Sequence, residues 1–260
     1  RVKAFTPKHY DVCIISSGLF DETLNKIAAE NNWSYLSTAE NNILISQNLA
    51  IMLHKRADMI FKMDEDIFIT EGVFDTLFNT ANYIQGHAHY GVGIVSPLIP
   101  LNNFGFLLLL EKLGLVETYE KIFERTIYGA GRGSMLHENP DVAKFFWGEG
   151  GFVPSIDTLN AAFRLLKMSY TICPVRISIG CILFPRQMWK DMDGFQIPQN
   201  MTNPWGGGID EEQICLFGVN HSAVIAVAEN AVVGHLSFTN QNAAMKEYYL
   251  NHRERFRCPK

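Results

Sequence analysis

Three groups of residues in this 260-residue chain combine types and spacings that could do chemistry. The first is KMDEDIFI, in which the apolar run Met59–Met63 passes directly into Asp64, Glu65 and Asp66. Three consecutive acids do not belong in a core, and in open α/β sheets ligands sit in the crevice beyond the carboxyl ends of strands. Carboxylates two residues apart at such an end can face one crevice. There they supply hard oxygen ligands for Mn2+ or Mg2+, or accept a hydrogen bond from a ribose hydroxyl. An acidic turn that only solvates a strand exit has the same composition, so the neighbouring motifs must decide.

The second group is WGGGIDEEQICLF, where Trp205, Gly206, Gly207 and Gly208 lead into Asp210, Glu211 and Glu212 at the expected start of a helix with Ile214 and Phe217 inward. Acids at a helix start are favoured by its dipole whether or not they have a function. The glycines, however, admit close approach of a ligand to the backbone, and the indole offers a face on which a sugar ring can stack. Together they suggest a saccharide pocket holding a general base. The third is His235, between AVVG and LSF near the end of an expected strand. A lone imidazole there is more often structural; it becomes a metal ligand if it completes an oxygen-rich site begun by Asp66. Weaker signals are His87 and His89, read as surface or acceptor-groove residues, and the GAGRGS loop at 129–134, which has neither a preceding strand nor a following Lys-Ser or Lys-Thr pair.

These residues require a scaffold, and the first half alternates short apolar runs with helix-period segments, as an α/β domain does. The patterns predict a strand at 11–16, a helix capped by Asp21 with Leu24, Ile27 and Ala28 inward, and a strand at 33–36. Next come a helix at 47–56 with Leu49, Met52 and Leu53 inward, the strand Met59–Met63, and a helix capped by Thr70 carrying Val73, Phe74, Leu77, Phe78 and Ala81. From about 86 to 178 the rhythm gives way to Gly- and Pro-punctuated loops, an amphipathic stretch at 106–125 and a helix at 156–167, read as an inserted acceptor-side lobe within a single domain of 1–260. Strands are expected again at 175–185 and 223–233.

With 47% hydrophobic residues and a formal charge of -5, from 22 Lys+Arg against 27 Asp+Glu, the composition is globular and carries no basic field for nucleic acid. No apolar run approaches the ~20 residues of a membrane-spanning helix. Five cysteines without close-pair spacing read as buried free thiols in a reducing, cytoplasmic setting, with any membrane association residing in parts outside this chain.

Taken in order, the acidic strand end, the Gly-acid helix start and the late His resemble nucleotide-sugar glycosyltransferases of the GT-A fold, a Rossmann-like mixed sheet flanked by helices. Asp64-Glu65-Asp66 resembles the DxD motif of that family, and WGGGIDEEQI is similar without a gap to the WGWGGEDDDI segment of the β-1,4-galactosyltransferase group and related polymerising transferases, with Trp205, Gly206, Gly208 and Ile214 identical. The segment GCILFPRQMWKDMDGF (180–195) resembles the family's strand and short helix beside the acceptor, and Asn48 its helix-start Asn. The resemblance implies donor contacts from Asp64, Glu65, Asp66 and Asn48, a metal held by Asp66 and His235, and acceptor contacts from Trp205, Gly207 and Gly208. It also implies a base that is either Asp210 or Glu211, whose side-chain lengths are exchanged relative to the motif. The implied reaction is Mn2+- or Mg2+-dependent transfer from a UDP-sugar to a saccharide hydroxyl, with polysaccharide biosynthesis as its setting. The Gly-acid segment favours inversion, since a retaining enzyme has no need of that base. The alternatives are a sugar-phosphate nucleotidyltransferase, disfavoured by the acidic SSGLFDET where a basic phosphate loop belongs, and an inactive saccharide-binding module of the same fold.

Overall fold

The computed structural model describes residues 1–200 and 206–259. A short helix α1 (Val2–Phe5) precedes β1 (Cys13–Ser17), α2 (Glu22–Glu30) and β2 (Ser34–Thr38), and the two strands pair in parallel as a sheet of their own. Asp21 caps α2 as expected, its carboxylate accepting from the Leu24 amide. Ala28 is buried, whereas Ile27 is exposed. Helix α3 (Ile43–Leu53) starts four residues ahead of the expected Gln47, because the Asn42 side chain accepts from the Leu44 and Ile45 amides. Leu49, Met52 and Leu53, expected inward, are 38%, 54% and 65% exposed, while Leu44, Gln47, Ala50 and Ile51 are buried. This segment is apolar on nearly every side, so its periodicity selects no face, and packing against β1 and β2 does.

Strand β3 (Met59–Met63) has the expected bounds, and β4 (Ile67–Phe68) and α4 (Val73–His87) follow. Val73, Phe74, Leu77 and Ala81 are buried as their spacing predicts, but Phe78 is exposed. The α4 cap is Gly72, not Thr70, whose hydroxyl instead donates to the Val232 carbonyl. The stretch expected to hold loops and helices opens with β5 (Gly91–Leu98), an eight-residue strand of the main sheet. The single amphipathic stretch is two helices, α5 (Gly105–Leu113) and α6 (Val116–Ile122), parted at Gly114. Beyond them lie α7 (Met135–Glu138), α8 (Pro140–Phe146), α9 (Ile156–Arg164) and β6 (Tyr170–Ile172). The chain closes with β7 (Cys181–Pro185), α10 (Arg186–Asp191), α11 (Ile209–Asn220), β8 (Ala223–Val232), β9 (Gly234–His235) and α12 (Asn242–Asn251).

Five strands form a mixed sheet in the order β3-β7-β5-β8-β6. Strand β7 is antiparallel to β3 and β5, β8 is parallel to β5, and β6 is antiparallel to β8. It follows that β3, β5 and β8 run the same way and end at one edge, where β7 begins. Alternation along the strands fills both faces: Cys181, Leu183 and Val95 pack with α4, and Ile182, Phe184, Ile94 and Ile225 pack with Ile214 of α11 and the helices after β5. The protein is thus a mixed α/β sheet flanked by helices. Its cysteines are free, with Cys173, Cys181 and Cys215 buried and Cys13 and Cys258 half-buried, so burial holds for three of the five. No helix of the described residues is long and apolar enough to cross a membrane.

Candidate active site

The shared edge of β3, β5 and β8 collects the charged motifs, because each of those strands hands its next residues to the same crevice. The Asp64 amide donates to the Gly180 carbonyl at 2.8 Å, extending the β3–β7 ladder by one bond before the acids turn away. Strand β4 then pairs antiparallel with β9, placing Ile67 opposite His235, and the Leu236 amide donates to the Asp66 carbonyl at 3.0 Å. Two residues far apart in sequence meet through this register: Asp66 Oδ2 lies 3.2 Å from His235 Nε2.

The other side of the imidazole is fixed by backbone. His235 Nδ1 lies 2.8 Å from the Leu101 carbonyl, just past β5, and since a carbonyl can only accept, Nδ1 carries the hydrogen. Trp147 Nε1 donates to the His235 carbonyl at 3.0 Å, and the Phe238 ring meets the imidazole edge-on at 5.1 Å. Burial by itself pulls the His235 pKa down, but the Asp66 hydrogen bond and charge, with the Leu101 carbonyl and Asp64, outweigh it and hold it above its ordinary value. A buried imidazole whose Nδ1–H is committed to a carbonyl and whose Nε2 faces a carboxylate needs a positive charge between the two: either a proton or a cation. Ligands roughly 2.1 Å from a hard divalent ion at right angles lie about 3.0 Å apart, so the observed separation fits two neighbouring positions of one ion. The donor set, one carboxylate and one imidazole, therefore suits Mn2+. Among the described residues no three His, Cys, Asp or Glu side chains converge, so further ligands would come from a substrate or water.

Asp64 is committed differently. Its Oδ1 lies 2.5 Å from the Nζ of Lys62, which also donates to the Ile179 carbonyl at 3.0 Å. Burial pushes the Asp64 carboxyl above its usual range, Lys62 opposes this, and Asp66 and Asp210 add to it. Glu65, between the two aspartates, is exposed.

The Gly-acid segment arrives at the same crevice. Gly208, in the left-handed region at φ 82°, caps α11 and sets Asp210, Glu211 and Glu212 in its first turn. Asp210 is 3% exposed, and its Oδ2 accepts from Gln47 Nε2 at 2.9 Å. Glu211 Oε1 is 2.5 Å from Arg176 Nε, and the same guanidinium donates to the Gly208 carbonyl at 2.8 Å and reaches Glu212 at 3.6 Å. Arg176 is itself held by Asn103, past β5, whose amide donates to the Arg176 carbonyl and accepts from the Ser178 amide. Burial raises the Glu211 pKa above its ordinary value against the pull of Arg176.

The structure thus brings Asp64, Asp66, His235, Asp210 and Glu211 into one electrostatic neighbourhood: Asp210 and Glu211 both act on Lys62, and Asp210 acts on Asp64. Asn48 is engaged elsewhere. Its oxygen accepts from Trp189 Nε1 and the Phe195 amide, and its nitrogen donates to the Phe195 carbonyl, each at 2.9 Å, clamping α3 to the turn after α10. Gly207 is half-buried at the mouth of α11. Trp205 lies outside the described residues. Sequence reasoning missed Lys62, Gln47 and Arg176. The first was legible in principle, since residues two apart on a strand share a face; the partners of Gln47 and Arg176 are set by packing and leave no local trace.

Among solved structures, the chain is similar to the crystal structure of GalNAc-T7 with UDP, GalNAc and Mn2+, at 13% identity and a TM-score of 0.48. That likeness covers 99% of this chain and 47% of the other, so the chain spans about half the length of that protein. No protein-family model matches the sequence, and no curated protein sequence does.

Proposed function

We infer that this chain is a GT-A-like glycosyltransferase domain that moves a sugar from a nucleoside diphosphate donor of the UDP-sugar class to a saccharide hydroxyl, with inversion. The observation that carries the reading is the meeting of an Asp66–His235 pair suited to a divalent ion with a carboxylate pair at a helix start. This is one crevice with a donor half and an acceptor half.

Asp66 and His235 would hold Mn2+ or Mg2+, which when bound supplies charge neutralisation for a departing diphosphate. Asp64 keeps Oδ2 for a ribose or sugar hydroxyl while Oδ1 faces Lys62, and exposed Glu65 lines the donor-side rim. On the acceptor half, Asp210 is enclosed and bonded to Gln47, whereas the Glu211 side chain is 21% exposed and oriented by Arg176. Glu211 is therefore the base that takes the acceptor hydroxyl's proton, and a carboxyl whose pKa burial has raised is better matched to that task near neutral pH. Asp210 acts as its support, and Gly207 and Gly208 form the floor beneath the acceptor. Asn48 serves the site through the fold. Polysaccharide synthesis is the setting such a reaction implies.

Calorimetric titration of UDP and UDP-sugars, with Mn2+ and then with chelator, tests the reading. Binding that requires the metal is expected, and Glu211→Gln is expected to keep that binding while losing transfer. No binding in either condition overturns the proposal, and binding without turnover toward any saccharide acceptor would make the chain a binding module instead.

A further inference from the structure

Lys62 has no task in the reaction just described, yet the acids of both motifs act on it: Asp64, Asp210 and Glu211. Its side chain is 12% exposed, its Nζ lies 2.5 Å from Asp64 Oδ1, and its second contact is the Ile179 carbonyl at 3.0 Å. Burial alone would drive an ammonium toward neutrality, but Asp64, Asp210 and Glu211 together outweigh it and keep Lys62 charged. The crevice therefore contains its own cation, lodged against one carboxylate of the acidic pair, while the other carboxylate is left to His235.

We propose that Lys62 is a resident counter-ion that withholds Asp64 from a divalent cation, so that the cation is taken up with a nucleoside diphosphate and not ahead of it. The inference rests on the nucleoside diphosphate reading above. A hard divalent ion held by one carboxylate and one imidazole keeps most of its water and binds weakly; phosphate oxygens are the usual completion. Asp64 does not converge with Asp66 and His235 while Lys62 holds its Oδ1; released, a carboxylate two residues from Asp66 would turn to the same ion as a third protein ligand and remove the need for the phosphates. The ammonium blocks that route twice, by occupying Oδ1 and by repelling a second cation. The oxygens and negative charge of a diphosphate offset both effects.

The test is Mn2+ binding to the intact chain, followed by the free-ion electron paramagnetic resonance signal, with and without UDP and after subtraction of the Mn2+ that UDP alone sequesters, for the natural protein, Lys62→Met, Lys62→Arg and the Lys62→Met/Asp64→Asn double variant. Urea unfolding of each verifies the fold. For the natural protein, UDP is expected to tighten Mn2+ binding strongly, a comparison that requires no variant. Lys62→Met is expected to bind Mn2+ without UDP at least about tenfold more tightly, since one charge within ~4–6 Å moves an ionic equilibrium by about 1–3 log units. Lys62→Arg should resemble the natural protein, and the double variant should lose the gain, because the carboxylate that was released is gone. The proposal is overturned if the natural protein binds Mn2+ equally well without UDP. It is overturned also if folded Lys62→Met binds Mn2+ with UDP but gains nothing without it, or if the double variant retains the gain. Absence of Mn2+ binding in every protein even with UDP would instead refute the nucleoside diphosphate reading itself.

Discussion

Gly234, the residue before His235, offers a direct measure of how the helices after β5 hold the late histidine in place. A Cβ added there would sit 2.5 Å from Trp147 Cη2, 2.9 Å from Cζ2 and 3.2 Å from Ile156 Cδ1. The indole cannot readily retreat, because Phe68 and Phe256 pack on it with centroids at 5.1 and 4.3 Å and its Nε1–H is bonded to the His235 carbonyl. Gly234→Ala therefore overpacks a fixed ring, at a cost of about 1–3 kcal/mol. At roughly 2–4 °C per kcal/mol for a chain of this size, the melting temperature should fall by about 2–12 °C. Trp147→Phe removes the colliding atoms but leaves the His235 carbonyl without its donor, a loss of about 1–3 kcal/mol in addition to the lost packing. The double variant should then be more stable than the sum of the two losses by at least about 1 kcal/mol, since the clash costs nothing once the larger ring is gone. Urea unfolding monitored by circular dichroism, with unchanged m values, reads all four corners of the cycle. The reasoning fails if Gly234→Ala lies within about 0.5 kcal/mol of the natural protein, or if the two substitutions are simply additive.

Arg176→Met removes the cation that opposes burial at Glu211, where Asp210, Lys62 and Glu212 are the other charged neighbours, so the Glu211 pKa rises further and the acid limb of kcat/KM moves to higher pH. A limb that stays in place means Glu211 is not the titrating base. Glu229 has a depressed pKa, because its bonds to Lys112 and Thr171 and the Lys112 charge outweigh burial. Its contribution to stability is thus present above the ordinary Glu value of about 4.3 and lost as pH falls through the folded value. The unfolding free-energy gap between the natural protein and Glu229→Gln should be widest near neutrality and narrow toward acid; a gap independent of pH contradicts this. Asn48→Ala should cost about 1–3 kcal/mol through Trp189 and Phe195 left without partners, while Mn2+-dependent UDP affinity is retained. Lost affinity at unchanged stability would return Asn48 to the donor.

What the sequence made legible follows from what burial forbids. The bounds of β3 could be read because an apolar run meets three acids that cannot continue it, and the same acids mark the crevice. The Asp21 cap and the buried face of α4 were legible for a similar reason, since each is a local bond or a local period. Strand β5 was hidden by its own glycines and proline. A Cβ at Gly93 would come within 3.0 Å of the Val224 carbonyl, so a residue that reads as a loop signal is there to let β8 approach. The facing of α3 was illegible because an all-round apolar helix names no side. In the site, the acids were visible but the groups that control them were not. His235 is oriented by the Leu101 carbonyl, which has no side-chain signature, and Glu211 by an arginine 35 positions away that is itself held by Asn103. Clustered acids announce themselves because they are costly to bury together; what neutralises them is chosen by strand direction and register. Here β3, β5 and β8 ending at one edge is the single fact of topology from which the Asp66–His235 contact, the Leu101 bond and the nearness of Glu211 to Lys62 all follow.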